Sequence, residues 1–201
     1  MFPIAEVLTS LSKKRPVFRN ESDLKVALLH EIWSLGHECL IDGVVNGEKV
    51  DLWVKTKEKD ALIELRYKTR KMEIVFNGEG YKLKNQFAQD VSRYDYIKDV
   101  VSLEKLCLQN PTMEGYAILI TNDHLYWQRP EKVNSVDKDF RLHEGRNLTG
   151  ECKWANSASF GTTRTREQPL VVKGCYPLSW SEYSTFPSVR QEFRYLCVQI
   201  N

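Results

Sequence analysis

Apolar side chains recur in two rhythms. An opening segment with Ile4, Val7, Leu8 and Leu11 predicts a short helix, and the basic run Lys13-Lys14-Arg15 follows it into a linker ending near Pro16. Asn20 is a good helix cap, and residues 21–35 then place Leu24, Leu28, Ile32 and Leu35 on one face at about 100° per residue, stopped by Gly36. Glu21 shares that arc, where it either favours the helix dipole or points into a polar pocket beside a sheet. Glu31, at the edge of the arc, and His30, opposite it, read as surface. The period then shortens to two. Residues 39–45, 48–55 and 61–68 predict strands, the first pair joined by a tight turn at Asn46-Gly47, and residues 72–83 predict a further hairpin turning at Asn77-Gly78-Glu79-Gly80.

A helical period returns at residues 85–108, with Phe87, Val91, Tyr94, Ile97 and Val101 as the buried stripe. Asp90 falls inside that stripe, so it pairs with a cation such as Arg93 or supports a site. Residues 115–121 are almost continuously apolar and predict a strand covered on both faces. Beyond Arg129 the pattern weakens. Residues 137–143 and 151–155 suggest short strands, and residues 169–172 and 193–200 suggest better ones. The aromatic tail (Trp180, Tyr183, Phe186, Phe193, Tyr195) is expected to pack back on the rest. This order implies one α/β domain over residues 1–201, with a mixed sheet, a core at about 20–125 and an elaborated C-terminal extension over 126–201.

Composition narrows the class. A hydrophobic content of 42% supports a real core, and a net charge of +2 does not by itself announce a nucleic-acid binder, so any phosphate-binding surface has to come from local clusters. The five cysteines are scattered and form no C-x-x-C pair, which argues against structural zinc and for reduced core thiols. The chain shows no signal-peptide pattern, and no apolar run approaches the roughly 20 residues needed to cross a bilayer. The expectation is a cytoplasmic protein without a membrane partner.

The most informative stretch is residues 61–68. Period two sends Glu64, Arg66 and Lys68 to one face and Ile63, Leu65 and Tyr67 to the other. Charged groups on an inner strand are costly without a purpose. Asp51 on the preceding strand adds a second carboxylate, and two carboxylates with a backbone carbonyl, that of Leu65, suffice to hold Mg2+ or Mn2+. Such an ion acidifies bound water and withdraws charge from a phosphodiester. Lys68 lies about 13 Å beyond Glu64, and Arg66 about 7 Å beyond it, along an extended strand. Nearby basic and amide side chains (Arg70, Lys71, Lys82, Lys84, Gln86, Gln89, Arg93) are candidates to contact substrate, and Arg164 and Arg166 are candidates for further phosphate contacts. The histidines have no paired ligand spacing, and no P-loop or nucleophile motif is present.

In combination, Glu21, Asp51, Glu64-Leu65-Arg66 and the helix carrying Gln86 and Gln89 resemble the PD-(D/E)XK, or restriction-endonuclease-like, nuclease superfamily over residues 20–121. The stretch Ile63-Glu64-Leu65-Arg66-Tyr67-Lys68-Thr69 looks like members carrying E-L-K-Y-K-T. Gln89-Asp90, Arg93-Tyr94-Asp95-Tyr96 and Ile120-Thr121-Asn122-Asp123 are similar to a bacterial branch of that group. The resemblance implies an α-β-β-β-α-β core with a mixed sheet flanked by helices. It also implies metal-dependent hydrolysis of DNA, in phage defence, restriction or repair. Asp51, Glu64 and Leu65 then hold the metal, Glu21 assists, and Arg66 with Lys68 steadies the phosphate. Arg66 departs from the pattern, since lysine is usual there and arginine does not give up its proton. A relative that binds nucleic acid or a protein without cutting is therefore the alternative, and a homodimer or protein partner stays open.

Overall fold

A computed structural model describes residues 1–132, 134–189 and 191–201. It is a mixed α/β fold whose helices flank a six-stranded mixed sheet. Helices α1 (Ile4–Lys14) and α2 (Glu21–Ser34) come first, followed by strands β1 (Glu38–Val45), β2 (Glu48–Lys55) and β3 (Asp60–Lys68). Then come the hairpin β4 (Met72–Phe76) and β5 (Glu79–Leu83), helix α3 (Gln89–Gln109) and strand β6 (Met113–Thr121). The last part carries β7 (Asn147–Cys152), a short helix α4 (Phe160–Thr163), β8 (Leu170–Pro177), β9 (Trp180–Phe186) and β10 (Gln191–Ile200).

Strand order is β1-β2-β3-β6-β10-β9. Among the described residues only β3 and β6 pair in parallel, because a parallel pair needs a long crossover and α3 supplies it. One face of the sheet is covered by α1, α2 and the β4–β5 hairpin, which enclose Leu8, Leu24, Leu28, Ile63, Leu65 and Tyr67. The other is covered by α3 and the β7–β8 hairpin around Leu62, Tyr96, Ile97, Leu119 and Phe140. The C-terminal segment does more than pack on the core. It contributes β10 and β9 to the sheet itself, with β10 pairing antiparallel to β6.

Local rules account for most of the first half. The Asn20 side chain accepts the Asp23 N–H at 2.9 Å, capping α2 as its identity predicts. Asn46 and Gly47 both take positive φ, the twist a two-residue hairpin turn needs. Several expectations fail for tertiary reasons. Leu35 falls at the end of α2 and is half exposed. Glu31 is buried rather than on the surface, because α1 lies across α2 and brings Lys14 to both carboxylate oxygens at 2.8 Å.

Helix α3 starts at Gln89, not Asn85. Gln86 is drawn into a ladder-like pair with Thr69, its N–H donating to the Thr69 carbonyl and its Oε1 accepting the Thr69 N–H. Phe87 is consequently exposed, and the buried stripe is Tyr94, Tyr96, Ile97, Val100, Leu103 and Leu106. Asp90 does not pair with Arg93; it accepts the N–H of Val91. Residues 137–143 hold a 3-10 turn at Lys138–Phe140 instead of a strand, and the strand expected at 151–155 lies at Asn147–Cys152. Strand β9 was not expected, and β8 extends well past residue 172. Cys39, Cys107 and Cys152 are buried free thiols as expected, whereas Cys175 is exposed. Among the described residues, no helix is long and apolar enough to cross a membrane.

Candidate functional site

The β2–β3 ladder pairs Val54 with Ala61, Trp53 with Leu62 and Leu52 with Ile63, and then ends. The next register position sets Asp51 opposite Glu64. Beyond it the β1–β2 hairpin bends away. Asp42, across from Asp51, sits in the left-handed region at φ +54°, which aspartate tolerates better than most residues. The hairpin base (Cys39, Leu52, Val54) packs with α2, whereas its tip (Val45, Val50) packs with α3, where Glu48 accepts from Ser102 and Lys105.

The bend leaves one edge of β3 without a partner strand, and side chains take its place. Asp51 Oδ2 accepts the Leu65 N–H at 2.8 Å, Glu21 Oε2 accepts the Tyr67 N–H at 3.0 Å, and Gln86 Oε1 accepts the Thr69 N–H at 2.7 Å. Alternate residues of a strand present both N–H and C=O to the same neighbour, so the Leu65 carbonyl lies on this open edge as well. Three acceptors remote in sequence therefore converge because each satisfies a backbone donor that burial would otherwise orphan.

Asp51 stands opposite Glu64 at the register position just past the end of the ladder, where its charge acts on the Glu64 carboxyl. Burial first, and then the Asp99 and Asp51 carboxylates, push Glu64 up to about 9, so it holds a proton at neutral pH. The other Asp51 oxygen contacts Lys25 Nζ at 2.5 Å, and the same ammonium reaches Asp42 at 3.0 Å. Burial opposes the charge on Lys25, but its bonds to Asp51 and Asp42 outweigh burial and raise its pKa. The donor set suits a hard divalent ion: two oxygen side chains, with a carbonyl on the same edge. Among the described residues no group of three or more His, Cys, Asp or Glu side chains surrounds one point, so such an ion would rest on Asp51, Glu64 and the Leu65 carbonyl, with Lys25 as its competitor.

Arg66 is engaged elsewhere. Its Nε and Nη2 donate to the two oxygens of Asp99, at 2.6 and 2.7 Å. Burial raises Asp99 to about 6 while Arg66 pulls it back. Arg66, expected to steady a phosphate, is paired here with Asp99, the carboxylate that α3 brings over β3. Lys68 stands 3.6 Å from Glu21, and both line a groove of about 430 Å³ with Arg19, Lys82, Lys84 and Gln86. Arg19 is paired there with Glu79 at 3.1 Å and Lys82 with Glu73 at 3.5 Å, and Lys84 adds a further cation to the wall.

The remaining candidates scatter. Arg70 contacts Asp123 at 3.3 Å and His124 at 3.1 Å, and Gln89 donates to Asp123 at 2.9 Å, forming a separate cluster at the end of β6. Lys71 is exposed and does not line the groove. Arg93 is 3% exposed and closed on Asp137 and the Leu125 carbonyl, so it has no route to a substrate. Arg166 is held by Asp95 in a two-bond pair at 2.7 and 2.9 Å rather than free for phosphate, whereas Arg164 is exposed.

Lys25 and Asp99 were not expected at the site, yet both left traces. Lys25 follows Glu21 by one helical turn, and Asp99 sits between Ile97 and Val100 in the most apolar part of α3. Compared with protein-family models, with curated proteins and with solved structures, the chain matches none.

Proposed function

We propose that the chain is a metal-dependent nuclease of the restriction-endonuclease-like type that hydrolyses DNA phosphodiester bonds. The observation carrying this reading is the convergence of Asp51 and Glu64 where β2 leaves β3. The succession α2, β1, β2, β3, α3, β6, with three antiparallel strands followed by one parallel to β3, supports the fold reading.

In this reading Asp51, Glu64 and the Leu65 carbonyl hold Mg2+ or Mn2+. Such an ion supplies Lewis acidity and an acidified water when bound. Two oxygen side chains and open positions for water and phosphate fit the way magnesium is usually held. Glu64 would serve as a ligand in its ionised form. Lys68 and the groove lysines Lys82 and Lys84 neutralise the sugar-phosphate backbone alongside, and Glu21 fixes Lys68 and the Tyr67 N–H in place.

A second reading has its own support. Arg66 is closed on Asp99 and Lys25 is seated on Asp51, which is how a relative that binds nucleic acid without cutting it would be built. Incubation of supercoiled plasmid with Mg2+ or Mn2+ separates the two. Nicking that disappears in Glu64→Gln and Asp51→Asn supports the nuclease. Salt-sensitive binding with intact plasmid in both metals supports the binder, and neither activity removes both.

A further inference from the structure

A second concavity lies on the opposite part of the chain sequence, among residues 129–146. It measures about 440 Å³, and Arg129, Lys138, Arg141, His143 and Arg146 line it with Asp139 as the single acid. Charge there is out of balance. Asp137 is shared between two guanidinium groups, Arg93 at 2.7 Å and Arg141 at 3.0 Å. Asp139 spends one oxygen on the Lys153 N–H. Among the described residues, Arg129, Lys138 and Arg146 have no carboxylate within 4.0 Å.

Arg146 is the unusual member. It is half-buried and held in a fixed pose, donating to the backbone carbonyls of Arg141 and Asp139. Carbonyl contacts orient a guanidinium but do not neutralise it, and a partly desolvated charge without a counter-ion is costly. Arg141 stands on the same wall with its guanidinium fixed by Asp137 and by the Ser135 hydroxyl.

We propose that this pocket binds a phosphoryl group. Guanidinium forks match phosphate oxygens in pairs, and several cations around one concavity fit a doubly charged anion better than a carboxylate. The source of the phosphoryl group is either a nucleic-acid strand or a free phosphorylated small molecule. The pocket stands on residues outside the acid pair, and the proposal holds whether or not that pair cuts.

The test is calorimetric titration of the full chain with inorganic pyrophosphate and, separately, with a short single-stranded oligonucleotide. The double variant Arg129→Ser/Lys138→Ser removes two exposed cations and spares the fold. Arg146→Lys keeps the charge and removes the fork. Saturable pyrophosphate binding that weakens about tenfold in each variant is expected if the ligand is a free phosphorylated molecule. Oligonucleotide binding that weakens likewise, with no pyrophosphate binding, assigns the strand as the source. No saturable binding of either probe, or binding that both variants leave unchanged, overturns the proposal.

Discussion

Arg66 and Asp99 meet through two parallel hydrogen bonds, Nε to Oδ2 at 2.6 Å and Nη2 to Oδ1 at 2.7 Å, joining β3 to α3 beside Glu64. The pair lies largely out of solvent, with side-chain exposures of 26% and 11%. Removing one partner strands the other. Asp99→Ala is expected to cost about 3 kcal/mol of stability, and Arg66→Lys, which keeps one bond of two, about half of that. Urea denaturation measures both. Under the nuclease reading, Arg66→Lys also gains plasmid nicking, because lysine, unlike arginine, can give up its proton beside the acid pair.

Glu64 makes stability depend on pH. Its carboxyl is raised from 4.5 to about 9, first by burial and then by Asp99 and Asp51. A group that binds its proton more tightly when folded contributes stability that is complete below its unfolded value and is lost as pH rises through its folded one. The window is therefore about pH 4.5 to 9. Gln cannot titrate, so Glu64→Gln is expected to gain on the native chain in Tm steadily across that range in metal-free buffer. Parallel curves would refute the assignment.

Lys25 and a divalent ion compete for Asp51. Lys25→Met is expected to bind Mn2+ about fivefold more tightly, the equivalent of the roughly 1 kcal/mol an ion pair of this kind contributes. Titration calorimetry in two buffers of different ionisation heat reads the affinity, and also the proton that Glu64 releases when Mn2+ binds. Unchanged affinity would place the metal elsewhere or nowhere.

The groove between Glu21 and the β4–β5 hairpin carries the nucleic-acid reading. Lys82→Ala/Lys84→Ala is expected to lower the slope of log affinity for duplex DNA against log salt by about 0.9 per lysine. Fluorescence anisotropy at several salt concentrations gives the slope. A variant with the native slope would remove these two lysines from the interface.

Asn20→Ala is expected to destabilise the chain by about 1 kcal/mol, since the Asp23 N–H loses its acceptor. Thermal unfolding measures this. Glu21 sits one residue further on, so the same change is expected to loosen the Glu21 contact with Tyr67 and Lys68.

The elements that depend on near neighbours could be read from the chain. Asn20 and the Asn46-Gly47 turn act through bonds and dihedral angles two or three residues long, so their identity decides the local conformation. The acids Glu21, Asp51 and Glu64 were legible as a set because period two and the helix cap place each on a definite element. Strand β9 was not. Its buried aromatics Trp180, Tyr183 and Phe186 recur every third position with Ser184 buried between the last two, and its pairing with β10 slips at Phe193/Arg194, so the alternation that marks a strand is broken.

What near neighbours could not convey is which charge meets which. Arg66 faces Asp99, Lys25 faces Asp51 and Glu31 faces Lys14 because helices cross the sheet and each other at distances and angles set by the packing of whole apolar faces. An ion pair is decided by a few ångströms, and residues 33 positions apart, such as Arg66 and Asp99, get no such closeness from their spacing. The chain thus specifies its strands, its caps and its inventory of acids. The bend at Asp42 and the crossing of α3 over β3 choose which of those acids stand together and which cations hold them.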